Sequence, residues 1–189
     1  LHLPTAATKN SWREQEKTVK MIIYDLECSQ AREQPSGDFE PLDHHEVVCA
    51  VARKICFACI TATRTNPDSP CTACGERETV FSYMTSENVL ADFTRWLFRE
   101  EHNDSLVFAH YGGRYDHLLV LREMLRQSIV PDVIMKGRRI ITGSAKHARC
   151  TLQLRDSFNL IPLALANFRK AFALNCDDKG EFPFLLIEP

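Results

Sequence analysis

The sequence predicts an α/β domain, a mixed central sheet flanked by helices, on three observations. Short apolar runs with β-branched residues alternate with segments of helical periodicity in the order β-β-β-α-β-α, followed by further strands. One of these runs, Lys20 to Cys28, ends in two carboxylates one residue apart, Asp25 and Glu27. Between the second and third strands stands a double cysteine pattern: Cys56-x-x-Cys59, eleven residues, then Cys71-x-x-Cys74-Gly75.

A length of 189 residues suits one domain with a small insertion, and 44% hydrophobic and 25% charged residues suit a globular chain. The net charge of −2 gives no overall attraction to nucleic acid, so such binding must come from a local patch. No apolar run approaches the about 18 residues of a membrane span, and the N-terminus lacks a signal-peptide pattern, so no membrane partner is expected. The ends at Leu1 and Pro189 are expected to be those of a fragment of a longer chain.

Residues 1–17 have no periodicity and are expected to be a flexible lead-in to a domain over residues 18–189. The first strand is placed from about Thr18 to Asp25, followed by a loop over Ser29–Asp43 containing Pro35, Gly37 and Pro41. A second strand, Glu46–Ile55, runs into the first cysteine turn, and a third, Glu78–Tyr83, leaves the second. Residues 54–78 thus read as a zinc-ribbon insertion clipping a hairpin, with Thr61–Pro70 as its tip. A helix capped by Thr85 or Ser86, with Glu87 in its first turn, carries Val89, Leu90, Phe93, Trp96 and Leu97 on one face. Leu106–Ala109 is a fourth strand, and a second helix comes after it with Leu118, Leu121 and Leu125 facing inward. Strands over Asp132–Met135 and Arg139–Thr142 turn at Lys136-Gly137-Arg138, and Cys150–Arg155 is another strand. Pro162 marks a helix start, with Leu165, Phe168 and Phe172 as a buried stripe.

The cysteine spacing is that of a four-cysteine zinc site: each C-x-x-C turn aims two thiolates at one tetrahedral ion, and Gly75 permits the tight second turn. Four protein ligands leave no open coordination position, so zinc at Cys56, Cys59, Cys71 and Cys74 is structural, with disulfides or free thiols as the alternative. A reducing compartment, nucleus or cytoplasm, is expected, with the mitochondrion also open.

Asp25 and Glu27 alternate onto one strand face about 7 Å apart, an arrangement that suits Mg²⁺ or Mn²⁺ or merely ends a strand in a solvated turn. A second acidic element, Ala109 to Asp116, leaves a strand through Gly112-Gly113 and delivers Asp116 to the start of a helix. Adjacent strand ends of an α/β sheet share a crevice, so Asp116 can face Asp25 and Glu27, or simply favour its own helix dipole. The stretch Lys136–Arg155 contains Lys136, Arg138, Arg139, Lys146, Arg149 and Arg155 and no acidic residue. It reads as a phosphate-contacting surface for a single strand of DNA or RNA or as a solvated face. Tyr111, Tyr115 and Phe108 are candidate stacking residues, against a plain core role.

Tyr24-Asp25-Leu26-Glu27-Cys28 resembles the first exonuclease motif, D-x-E, of family B DNA polymerases, and His110 to Asp116 resembles the second, N-x-x-x-[F/Y]-D. Arg155 to Pro162, with Phe168–Leu174 and Lys179-Gly180-Glu181-Phe182-Pro183, resembles the next segment in the protein-primed branch of organellar plasmids, viruses and self-synthesising transposons. The resemblance spans residues 18–189. It implies an RNase H-like 3′→5′ exonuclease fold in which Asp25, Glu27 and Asp116 hold two Mg²⁺ or Mn²⁺ ions. Two features depart from it: Tyr111 replaces the family's Asn, and the third motif, Y-x-x-x-D, is missing, since the sequence has no tyrosine after Tyr115. The resemblance therefore implies either a proofreading-type nuclease, weak or inactive at this length, or an inactive exonuclease-fold scaffold for protein or nucleic acid. The partners it implies are single-stranded DNA or RNA, and a protein or C-terminal polymerase region supplying the missing motif.

Overall fold

The structure, a computed structural model, describes residues 18–30, 45–61 and 69–175. The expected lead-in over 1–17, most of the Ser29–Asp43 loop, the tip of the cysteine insertion and the Lys179–Pro183 segment lie outside the described residues.

Seven strands form one mixed sheet: β1 (Lys20–Gln30), β2 (His45–Cys56), β3 (Glu78–Ser82), β4 (Ser105–Ala109), β5 (Pro131–Lys136), β6 (Arg139–His147) and β7 (Cys150–Asp156). Their spatial order is β3-β2-β1-β4-β7-β6-β5. The central strands β1, β4 and β7 are mutually parallel, and each flank is an antiparallel set. Among the described residues four α-helices accompany them: α1 (Phe57–Thr61), α2 (Val89–Leu97), α3 (Asp116–Arg126) and α4 (Phe168–Phe172).

Alternation along β1 decides the layering. Ile22, Tyr24 and Leu26 are buried, while Ile23 is 44% exposed and Asp25 shares its side. The buried set meets α2 and α3 through Phe93, Trp96, Leu97, Leu119, Val120 and Met124, and Val107, Leu152 and Leu154 extend this core along β4 and β7. Phe93 lies at its centre, 5.0 Å from the Tyr24 ring and 5.8 Å from Phe81. Among the described residues, α2 and α3 therefore cover one face of the sheet; the expected helical flanking is one-sided.

Several local expectations need correction. Strand β1 continues past Asp25 to Gln30 with a bulge after Glu27, because β2 pairs with it over that whole length. Helix α2 is capped by Asn88, whose side chain accepts from the Ala91 N–H at 2.9 Å, rather than by Thr85 or Ser86. Glu87 precedes the helix, and Asp92 is the acidic residue of its first turn. On α3, Leu121 is buried as expected but Leu125 is 58% exposed; the inner stripe runs through Leu119, Val120 and Met124. Pro162 starts no long helix. Leu165 lies in a short 3-10 turn, α4 has five residues, and Leu165 and Phe172 are each 50% exposed, so the expected buried stripe is not formed.

Candidate carboxylate crevice and cysteine metal centre

Parallel pairing of β1 with β4 covers Met21↔Leu106 to Ile23↔Phe108 and then stops, while β2 stays paired with β1 to its end. The strands part at that point, leaving a crevice at their C-terminal ends, where α/β sheets place ligand sites. Asp25 and Glu27 lie just beyond the last β1–β4 pair. The Leu26 N–H, no longer claimed by β4, donates to Asp116 Oδ1 at 3.3 Å. Asp116 thus reaches across from the start of α3 to the β1 backbone, between its two acidic neighbours.

A tight turn makes this possible. Tyr111 adopts φ 63°, and the 3-10 turn Gly112–Arg114 turns the chain from β4 into α3. A Cβ on Gly113 would lie 2.2 Å from the Ile140 carbonyl oxygen and 3.0 Å from Asp156 Oδ2, so only glycine fits there. Asp156, at the end of β7, accepts from the Gly113 N–H at 3.3 Å and from the Phe158 N–H at 2.9 Å. Arg139 Nε lies 3.8 Å from its Oδ2. This buried aspartate, which the motif spacing does not single out, holds the turn that delivers Asp116.

The electrostatics show that the three carboxyls interact. Burial, and then the charges of Asp25 and Glu27, push Asp116 from 3.8 up to about 6. Asp116 is 5% exposed, so water does little to relieve that repulsion. Three oxygen donors with excess negative charge are the donor chemistry that hard divalent cations take. They are not drawn to mutual contact: among the described residues, only the four cysteines bring three or more candidate ligand atoms within 4.8 Å of one another.

The cysteine group lies in the β2–β3 connection, at the opposite end of β1–β2 from the crevice: Lys20 pairs with Cys56 there, and Gln30 with His45 at the other end. The Sγ···Sγ separations are 3.7 Å for Cys56–Cys59, 3.8 Å for Cys56–Cys71 and 3.5 Å for Cys59–Cys74. A tetrahedral ion with metal–sulfur bonds of about 2.3 Å requires S···S edges of about 3.8 Å. The second turn is closed by reciprocal bonds between Cys71 and Gly75, both 2.8 Å, with Gly75 at φ 72°. Backbone N–H groups of Cys74 and Ala73 hold the Cys71 thiol down to about 6, favouring the thiolate a metal needs, whereas burial raises Cys74. The four cysteines can therefore hold a metal ion such as zinc.

The candidate nucleic-acid residues separate by placement. Tyr111 is 39% exposed and stacks on Phe158, with ring centroids 3.9 Å apart and planes at 28°. Arg139 lies over the other partner of that stack, 5.6 Å from the Phe158 centroid. Tyr115 instead is half-buried, its hydroxyl 3.0 Å from His45 Nδ1, so it locks α3 to β2. Lys136 and Arg138 are exposed at the β5–β6 turn, whereas Lys146 lies beyond the last β5–β6 pair, opposite Thr151 at the end of β7 away from the crevice; Arg149, beside it, pairs with Glu100 at 3.6 Å. Arg155 is turned onto Gln153 and Thr142 of the sheet itself. No helix among the described residues is long and apolar enough to cross a membrane.

Residues 97–188 match the family model of DNA polymerase type B, organellar and viral. A DNA polymerase of Kluyveromyces lactis is 29% identical over 79 residues, which is 41% of this chain and 8% of that protein. Phi29 DNA polymerase, solved with primer-template DNA and incoming nucleotide, matches at TM-score 0.56 and 12% identity over 88% of this chain. Phi29 DNA polymerase complexed with single-stranded DNA gives TM-score 0.56 at 10% identity. The chain spans about a quarter of the Phi29 enzyme, 25% of its length in each comparison. Residues 97–188 thus resemble the organellar and viral type B DNA polymerases, and the sheet joins that segment to the strands that precede it.

Proposed function

We propose that this chain is a 3′→5′ exonuclease domain, of RNase H-like fold, from a protein-primed type B DNA polymerase or a nuclease derived from one. The observation that carries the reading is the meeting of the two acidic motifs: Asp116 bonds to the Leu26 N–H and feels the charges of Asp25 and Glu27. Asp25, Glu27 and Asp116 would hold Mg²⁺ or Mn²⁺, which when bound supplies water activation and stabilisation of the leaving 3′ oxygen. The chain's own part is to hold the carboxylates in the crevice and to lead a 3′ end there. The Tyr111–Phe158 stack offers a flat apolar surface for a terminal base, with Arg139 beside it, and the exposed Lys136 and Arg138 of the β5–β6 turn suit phosphates. A zinc ion on the four cysteines would act as a structural staple of the β2–β3 connection, far from the crevice.

Tyr111, which stands where the family pattern has Asn, favours a second reading. In that reading the fold serves as a binding scaffold, since members of a catalytic unit act together and the loss of one removes most of the rate. Release of the terminal nucleotide from a 3′-labelled single-stranded oligonucleotide, in Mg²⁺ and in Mn²⁺, separates the two. Release by the wild type but not by Asp25→Ala supports the nuclease; no release by folded protein in either metal leaves the scaffold.

A further inference from the structure

Behind the carboxylates runs a buried polar chain made by residues adjacent to them in sequence. The Tyr24 hydroxyl lies 2.6 Å from His117 Nδ1, and His117 Nε2 lies 3.0 Å from the Arg155 carbonyl oxygen. A carbonyl only accepts, so Nε2 carries the ring proton and donates it to Arg155, and the Tyr24 hydroxyl donates to Nδ1. Both side chains are buried, Tyr24 at 3% and His117 at 0% exposure.

The placement of these partners is specific. Tyr24 precedes Asp25, His117 follows Asp116, and Arg155 precedes Asp156. The chain therefore joins β1, α3 and β7 at the three points from which acidic side chains leave. The imidazole is also wedged from the turn side: a Cβ on Gly112 would lie 3.0 Å from His117 Cδ2 and Nε2 and 2.6 Å from Ala109 Cβ. Apolar residues would fill the same volume without the demand that every buried polar atom find a partner.

We infer that Tyr24 and His117 are positioning residues for the carboxylate crevice, their hydrogen bond setting the spacing between Asp116 and the Asp25–Glu27 pair. The inference rests on the exonuclease reading of those carboxylates. Loss of a group that orients metal-holding side chains typically costs about 10–100-fold in metal affinity. Tyr24→Phe removes the hydroxyl and keeps the ring.

The test is Mn²⁺ binding, read from the electron paramagnetic resonance of the free ion, for wild type, Tyr24→Phe and Ile22→Val, with thermal unfolding measured beside it. Ile22 lies on the same buried face of β1 at 1% exposure and takes no part in the polar chain, so it controls for loss of stability alone. Tyr24→Phe is expected to bind Mn²⁺ about tenfold more weakly, and Ile22→Val as tightly as wild type. Equal affinity in wild type and Tyr24→Phe overturns the inference and leaves the exonuclease reading standing. Losses in both variants that follow their melting temperatures assign Tyr24 to packing alone and also overturn it. Absence of Mn²⁺ binding by the wild type overturns the exonuclease reading and the inference together. Should Tyr24→Phe fail to fold, His117→Leu replaces it, since leucine has close to the imidazole volume and gives up the Nδ1 acceptor; the same outcomes decide.

Discussion

Replacing Asp116 by asparagine should stabilise the protein, even though it removes a residue of the candidate site. The carboxyl is pushed from 3.8 up to about 6, by burial first and then by Asp25 and Glu27. Below pH 3.8 both folded and unfolded chains hold this proton, and it contributes nothing to the difference. Between there and about pH 6 the unfolded chain has released the proton and the folded chain has not, so stability falls as pH rises. Above about pH 6 the full penalty applies, on the order of 3 kcal/mol. Asparagine keeps an oxygen for the Leu26 N–H, which Asp116 accepts at 3.3 Å, and loses the charge. The shift to about 6 already includes the backbone N–H groups that favour the carboxylate, so nothing more is subtracted. Asp116→Asn is therefore expected to be more stable than wild type by about 3 kcal/mol at pH 7.5, and by only about 1 kcal/mol at pH 4.5. Urea unfolding in buffer free of Mg²⁺ and Mn²⁺ measures both. Added Mn²⁺ should stabilise wild type and leave the variant nearly unmoved. A variant equally or less stable at pH 7.5, or a gain that does not change with pH, would refute the claim that Asp116 is held at a cost in this crevice.

The other expectations concern the turn, the stack and the cysteines. Gly113→Ala forces a Cβ to within 2.2 Å of the Ile140 carbonyl oxygen, and overpacking of this kind costs about 1–3 kcal/mol, readable in the urea midpoint; an unchanged midpoint would mean the turn adjusts freely. Tyr111→Asn should leave stability within about 1 kcal/mol, because relief of a left-handed residue, about 1–2 kcal/mol, offsets the lost ring stack. The same change should weaken binding of a single-stranded oligonucleotide at least fivefold, given about 1–3 kcal/mol for a base–aromatic stack, as followed by fluorescence anisotropy. Elemental analysis should find one zinc per chain, and Cys74→Ser should lose it together with a clear drop in melting temperature; a metal-free protein with the same melting temperature would exclude the staple.

What could be read from the sequence was whatever depends on spacing along one strand or turn. Asp25 and Glu27 share a face because strand alternation leaves no choice, and the cysteine pairs meet because each C-x-x-C turn brings its own two thiols together. Asp116 was legible as the first residue of a helix after a Gly-Gly turn. The rest depends on partners distant in the chain. Asn88 displaced Thr85 and Ser86 as the α2 cap, because acceptable cap residues stand close together and only the path out of β3 selects among them. Leu125 carries the right periodicity for the α3 interior, yet the helix is rotated to seat His117 and Glu123 inside, which spacing alone does not foresee. Leu165, Phe168 and Phe172 have helical spacing, but the segment breaks into a 3-10 turn and a five-residue helix that buries no stripe.

The roles of Asp156 and of the Tyr24–His117 pair depend still more on distant contacts. No local pattern links residues 24, 117 and 155, or residues 113 and 156; β1, β4 and β7 must first pair in parallel for those groups to meet. The carboxylates themselves can be recognised one motif at a time, but the crevice between them exists only because β1–β4 pairing ends at Ile23↔Phe108 while β1–β2 pairing continues. The Leu26 N–H is left for Asp116 by that difference in strand length, so the element that decides the site is the shortness of β4, five residues ending at Ala109, and the turn after it.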